Sequence, residues 1–99
     1  MPVTILDVDP RNLRLPSSRA VGADPIKLQR QIARYGTSNV GMPPIWVIEG
    51  SDGVFVIMNG VTRATRIAKL APGTLVRVEV TGKVKRPCQP FPKIGDVLP

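Results

Sequence analysis

Residues 55–70 read FVIMNGVTRATRIAKL. An apolar, strand-forming run stops at Asn59-Gly60, and a helical pattern starts at once, carrying Arg63 and Arg66 in its first turns. The side-chain period changes there from two to 3.6, so the stretch predicts a buried strand turning directly into an amphipathic helix. Glycine suits such a junction because it accepts left-handed backbone angles and lets other groups approach closely. The first N–H groups of a helix have no intrahelical partner and carry a partial positive charge. Two arginines beside them read either as a solvated helix face or as part of a site for an anion.

Upstream, 45–48 (IWVI) and 54–58 flank 49–53 (EGSDG), whose Asp-Gly turn chemistry predicts an antiparallel hairpin. Trp46 lies between Ile45 and Val47 and is expected in the core, wholly or in part, with a stacking surface as the alternative. Downstream, the helix over 61–71 ends at Pro72-Gly73. In 74–80 (TLVRVEV), Val76, Val78 and Val80 alternate with Arg77 and Glu79, the pattern of a half-solvated strand. A first strand over 3–8 (VTILDV) is closed by Asp9-Pro10, because proline cannot continue a ladder.

Between these, 11–23 reads as a loop carrying Arg11, Arg14 and Arg19. Asp24 is placed to cap a helix with Pro25 at its first position, and Gly36 to end it. Leu28, Ile32 and Tyr35 form its apolar stripe, while Lys27, Arg30 and Arg34 recur at i, i+3 and i+7 on another face. That cation row reads equally as a solvated face or as the approach to an anion. The order β, loop, α, β-hairpin, α, β predicts an α+β domain over 1–82, a small mixed sheet with two main helices. Residues 83–99 (KVKRPCQPFPKIGDVLP) form a basic, proline-rich C-terminal tail, with Phe91, Ile94 and Val97 as its anchors if it docks.

Composition narrows the chemistry. Ninety-nine residues suffice for one modest core. Fourteen lysines and arginines against seven acids give +7, which favours polyanionic partners. No apolar run approaches the roughly 20 residues of a membrane span, and acidic residues interrupt the N-terminal stretch, so a cytoplasmic protein with no membrane contact is expected. Without histidine, imidazole bases and histidine-ligated metals are excluded. The single cysteine, Cys88, can form neither an intrachain disulfide nor a thiolate cluster. The acids are spread along the chain, so no metal site and no self-sufficient nuclease is expected.

Three features in this order resemble the ParB/sulfiredoxin-like (ParB-like nuclease, or ParB N-terminal) superfamily over residues 3–81. A first strand leads into a loop with Pro16 and Arg19, and a helix after Asp24-Pro25 is followed by Pro43-Pro44-Ile45-x-Val47. The most specific is Asn59-Gly60-Val61-Thr62-Arg63, which is similar to the family's Gly-x-x-Arg junction. The resemblance implies that this junction holds the phosphates of a bound nucleotide, ATP or CTP with Mg2+. Lys27 falls where sulfiredoxins carry a lysine near the nucleotide. The family's catalytic cysteine or glutamate position is Val61 here, and Thr62 stands where the family has histidine or arginine.

The expectation is therefore a nucleotide- or phosphate-binding module that lacks the family's usual catalysis, with no catalytic residue assigned. Its ligand-binding set is Lys27, Arg30, Arg34, Asn59, Gly60, Thr62, Arg63 and Arg66. The alternative is a DNA-binding protein of the ParB-like nuclease group that contacts backbone phosphates through the same basic face. A homodimer, or a partner protein bound through the C-terminal tail, completes the expected partners. Because Arg63 is expected to crowd other cations, its removal is expected to leave the stability of the unliganded fold level or slightly raised.

Overall fold

The strand over Val76–Lys83 is the one on which the rest of the sheet is built, in a computed structural model that describes residues 4–98. Numbered along the chain, the strands are β1 (Thr4–Val8), β2 (Ile45–Glu49), β3 (Phe55–Asn59) and β4 (Val76–Lys83). The helices are α1 (Pro25–Tyr35) and α2 (Val61–Leu70). The sheet order is β1-β4-β2-β3, with β1 and β3 as its edges. β4 pairs antiparallel with β1 and parallel with β2, and β2 pairs antiparallel with β3, so the sheet is mixed and the class α+β.

Alternation in β4 does what the sequence predicts: Val76 and Val78 are buried while Arg77 is exposed. In register with them, Ile45 faces Val78 and Val47 faces Val80. These positions join Ile57 of β3 and Ala64, Ile67 and Ala68 of α2 in one apolar core. An extra residue, Thr81, interrupts the β2–β4 ladder, and its hydroxyl donates to Val47 O at 3.0 Å. The bulge thus leaves that carbonyl satisfied. β4 also runs to Lys83, beyond the predicted 74–80, because the bulge lets pairing resume at Gly82 opposite Ile48.

The 10–19 segment is more ordered than a loop. Pro10–Asn12 and Ser17–Arg19 are 3₁₀ turns, and Leu13 and Leu15 between them are fully buried in the core. Their backbone reaches the far end of the chain: Leu15 N donates to Pro92 O, and Ile94 N donates to Leu13 O. Arg14 accompanies them, its Nη1 donating to the carbonyls of Gln89 and Phe91 at 3.0 and 2.9 Å. Residues 83–98 are thereby woven into the same core as the rest of the chain, with Ile94 1% exposed and Val97 and Leu98 packed beside it. Asp52 fixes the approach to this segment by accepting from the N–H groups of Cys88 and Gln89.

Trp46 departs from the core expectation. It pairs with Glu79 on one side and Asn59 on the other, on the face away from Val47, and stays 47% exposed. Strand alternation is the reason, since Ile45 and Val47 take the two inward positions around it.

Candidate anion-binding cleft

β3 ends in an irregularity that shapes the site. Met58 is an extra residue in the β2–β3 ladder, Asn59 closes it opposite Trp46, and Gly60 then turns at φ 110°, a left-handed angle that disfavours any side chain. α2 starts on the next residue without a side-chain cap. The N–H groups of Val61, Thr62 and Arg63 therefore open toward the space beyond β3 without an intrahelical acceptor.

That space is a cleft of about 290 Å³. One wall is the α2 junction from Asn59 to Arg63, and the opposite wall is Lys27 and Gln31 on successive turns of α1. Pro16, Ser18 and Arg19, from the second 3₁₀ turn, form the third side. Three cations (Arg19, Lys27 and Arg63) line it, and no lining residue is acidic. Asp24, outside the lining, caps α1 by accepting from Ile26 N and Lys27 N. Those two backbone bonds, with smaller help from the charges of Lys27 and Arg19, hold its pKa below the usual aspartate value.

Arg63 occupies a particular position. Its guanidinium folds back over Gly60, so closely that a Cβ there would meet Nη2 at 2.9 Å, and it donates from Nη2 to Pro44 O at 3.2 Å. Nε has no partner among the described residues. Burial alone lowers its pKa, with no carboxylate offsetting the loss of water. Such a cation gains most from an added anion. Its bond to Pro44 argues against the expectation that removing Arg63 leaves the stability of the unliganded fold level or slightly raised. It ties α2 to the entry of β2.

Of the expected ligand-binding set, the structure brings Lys27, Asn59, Gly60, Thr62 and Arg63 together and leaves Arg30, Arg34 and Arg66 apart. Arg30 and Arg34 are exposed on α1 outside the cleft. Gln31, one turn beyond Lys27, takes the inward position, and the 100° step per residue turns Arg30 away from it. Arg34 lies two turns beyond Lys27, about 10 Å along the axis, where its guanidinium sits 5.4 Å from the Tyr35 ring centre.

Arg66 serves the fold. It is 1% exposed, and its Nη1 donates to Gly36 O at 2.8 Å and Ser38 O at 2.7 Å, with the plane 5.3 Å from the Tyr35 ring centre. The carbonyls at the C-terminal end of α1 carry the negative pole of that helix, which stands in for a carboxylate partner. Burial lowers its pKa, while Tyr35 works in the opposite direction. Sequence spacing put Arg63 and Arg66 on one side of α2; tertiary packing gives them different carbonyls and different tasks.

Ser18, Arg19 and Gln31 line the cleft although they lie outside the expected ligand-binding set. Gln31 carried a signal, the i+4 position from Lys27, that the row of cations at i+3 and i+7 obscured. Among the described residues no three His, Cys, Asp or Glu side chains form a group able to hold a metal ion. A Mg2+ ion entering with a nucleotide would thus be held by phosphate oxygens and water rather than by carboxylates of the cleft. No described helix is long and apolar enough to cross a membrane. Comparison with protein-family models and with curated protein sequences finds no significant match to this chain.

Proposed function

We propose that this protein is a phosphate-binding module whose ligand is a nucleotide, held without turnover in the cleft between α1 and the start of α2. The observation that carries this reading is a cleft at an uncapped helix N-terminus with three cations and no acid in its lining. Backbone N–H groups at 61–63 would receive one phosphate, Arg63 would add a charge-assisted bond, and Lys27 and Arg19 would neutralise the rest. A cleft of about 290 Å³ suits a phosphorylated small molecule at the lower end of ligand-pocket sizes. Binding without catalysis follows from Val61, which lines the cleft and can neither attack, coordinate nor exchange a proton. The family that Gly60-x-x-Arg63 resembles would place its reactive side chain there.

A second reading has its own support. Lys27, Arg30 and Arg34 continue in a row along α1 beyond the cleft, which suits a polymer of phosphates such as DNA.

One panel tests both. Thermal melts with ATP, CTP, GTP and ADP, with and without Mg2+, should show a rise for at least one nucleotide, because a ligand confined to the folded state must stabilise it. Duplex DNA is titrated at rising salt in parallel. Affinity that falls steeply with salt supports the polymer reading, and a shallow dependence with saturable nucleotide binding supports the pocket. No response to any nucleotide or duplex would refute both. Peroxiredoxin-sulfinate reduction and CTP hydrolysis should be absent from the same samples.

A further inference from the structure

The two edges of the sheet are treated very differently. Beyond β3, Arg14 forms a bridge with Val56 and another with Lys93, and Arg14 N and O bond to Phe55 O and Ile57 N. That edge is closed by the chain itself. Beyond β1 no described residue pairs, and β4 is the only element against which β1 packs extensively. Apart from its single charge, Asp7, and its short length, β1 carries none of the usual protections of an open edge. It has no lysine, arginine or proline, its ladder with β4 has no bulge, and Ile5 and Leu6 remain 49% and 41% exposed.

We infer that β1 pairs antiparallel with β1 of a second copy of this chain, about a two-fold axis through Leu6, to make one continuous eight-stranded sheet. A two-fold normal to the sheet places residues of the same face opposite one another, so only registers of even residue sum are allowed. The register centred on Leu6 sets Leu6 against its copy, Ile5 against Asp7 and Thr4 against Val8, and it uses the whole strand. Shifting it by one step to centre on Asp7 would set two aspartates directly opposite, which is unfavourable.

The charge distribution favours this partner despite the net +7. The only charged side chain of β1 is Asp7, whereas the cationic cleft draws its strand residues, Met58 and Asn59, from β3 at the opposite edge. Pairing through β1 therefore holds the two basic clefts at the outer ends, where they repel least. A five-residue strand contact covers less than the roughly 800 Å² per partner of a standard interface, so the dimer forms reversibly with concentration. Pairing at this edge is independent of what the cleft binds.

Sedimentation velocity of the full chain from micromolar to millimolar concentration tests it, alongside two variants verified as folded by their melts. The parent should pass from monomer to dimer. Leu6→Lys, which opposes two like charges at the axis, should weaken dimerisation at least about tenfold. Ile5→Lys, which places an ammonium opposite Asp7 of the other copy, should dimerise at least as tightly as the parent. If Leu6→Lys does not fold, Leu6→Cys takes its place and should cross-link between copies on oxidation, whereas Ile5→Cys should not. A parent that stays monomeric throughout overturns the inference. So does an equal effect of the two lysine variants, or equal cross-linking of the two cysteine variants.

Discussion

The Arg63 guanidinium lies directly over Gly60, with Nη2 only 2.9 Å from where a Cβ would sit. The glycine is required twice, once by its backbone angle and once by the arginine it admits. Gly60→Ala would also press on Ile45 Cδ1 at 2.8 Å. The expected cost is about 1–3 kcal/mol from the backbone alone, with displacement of Arg63 in addition. Gly73→Ala separates the two contributions, since Gly73 has φ 89° and nothing within 4 Å of its Cβ position. Thermal melts should place Gly60→Ala below Gly73→Ala.

Arg63→Ala should weaken binding of a phosphate ligand by about 1.5–3 kcal/mol, the usual loss for a hydrogen bond to a charged group. It should also lower the stability of the free protein by about 1 kcal/mol, because the Pro44 O bond goes with it. Calorimetric titration and denaturant melts read the two effects separately. Full ligand affinity with only the stability loss would make Arg63 a structural residue alone.

Arg66 should be far more costly than its neighbours in sequence type. Arg66→Ala empties a fully buried position and leaves the part-buried Gly36 and Ser38 carbonyls without their donor, and a loss of about 2–4 kcal/mol is expected. Arg66→Lys should recover little of this, since one ammonium does not reproduce a planar fork. Arg30→Ala and Arg34→Ala should stay within about 0.5 kcal/mol of the parent, as exposed positions do. Urea midpoints at unchanged slope are the measurement.

Acidification should unfold the C-terminal attachment first. Loss of water tends to raise the pKa of Asp52, but N–H donors from Cys88, Gln89 and Val54 outweigh it and hold the value below 3.8. A carboxyl whose pKa is lower in the folded state contributes stability that is complete above its unfolded value. That contribution fades as pH falls through the lowered one. Asp24 behaves in the same direction at its helix cap. Stability should be flat near neutrality and fall below about pH 4, and Asp52→Asn should be weaker at neutral pH with a shallower acid limb.

Ile94→Ala should cost about 2–5 kcal/mol, the range for emptying a filled core position, because Ile94 is 1% exposed. Removing 83–99 entirely should abolish the cooperative melt. An unchanged melting temperature in either case would mean that the segment does not contribute to the core.

Much of this fold was legible because its signals are local. Asp24-Pro25 and Gly36 mark the ends of α1, the Asp-Gly turn joins β2 to β3, and Asn59-Gly60 marks the start of α2. The buried roles of Leu13 and Leu15 were not, and Ile94 could be named only as an anchor if the tail docks, because the partners lie at opposite ends of the chain and no short window contains both. The same distinction runs through the site. Gly60, Arg63 and Lys27 could be read from turn chemistry and helix ends, whereas the separation of Arg66 from Arg63 depends on which carbonyls each meets. A guanidinium with several free donors can serve an anion or a backbone, and spacing alone does not choose.

The bonds that join Arg14 to Gln89 and Phe91 span 75 and 77 positions of sequence. Chain closure over such distances is slow to find, and it rewards the polypeptide only once both ends are available. On the ribosome, the early leucines at 13 and 15 must therefore wait, incompletely covered, until the strand-like stretch near Ile94 has been synthesised and has left the exit tunnel. Until then the two leucines lack part of their cover, which makes this stretch of the nascent chain a client for whatever shields such segments.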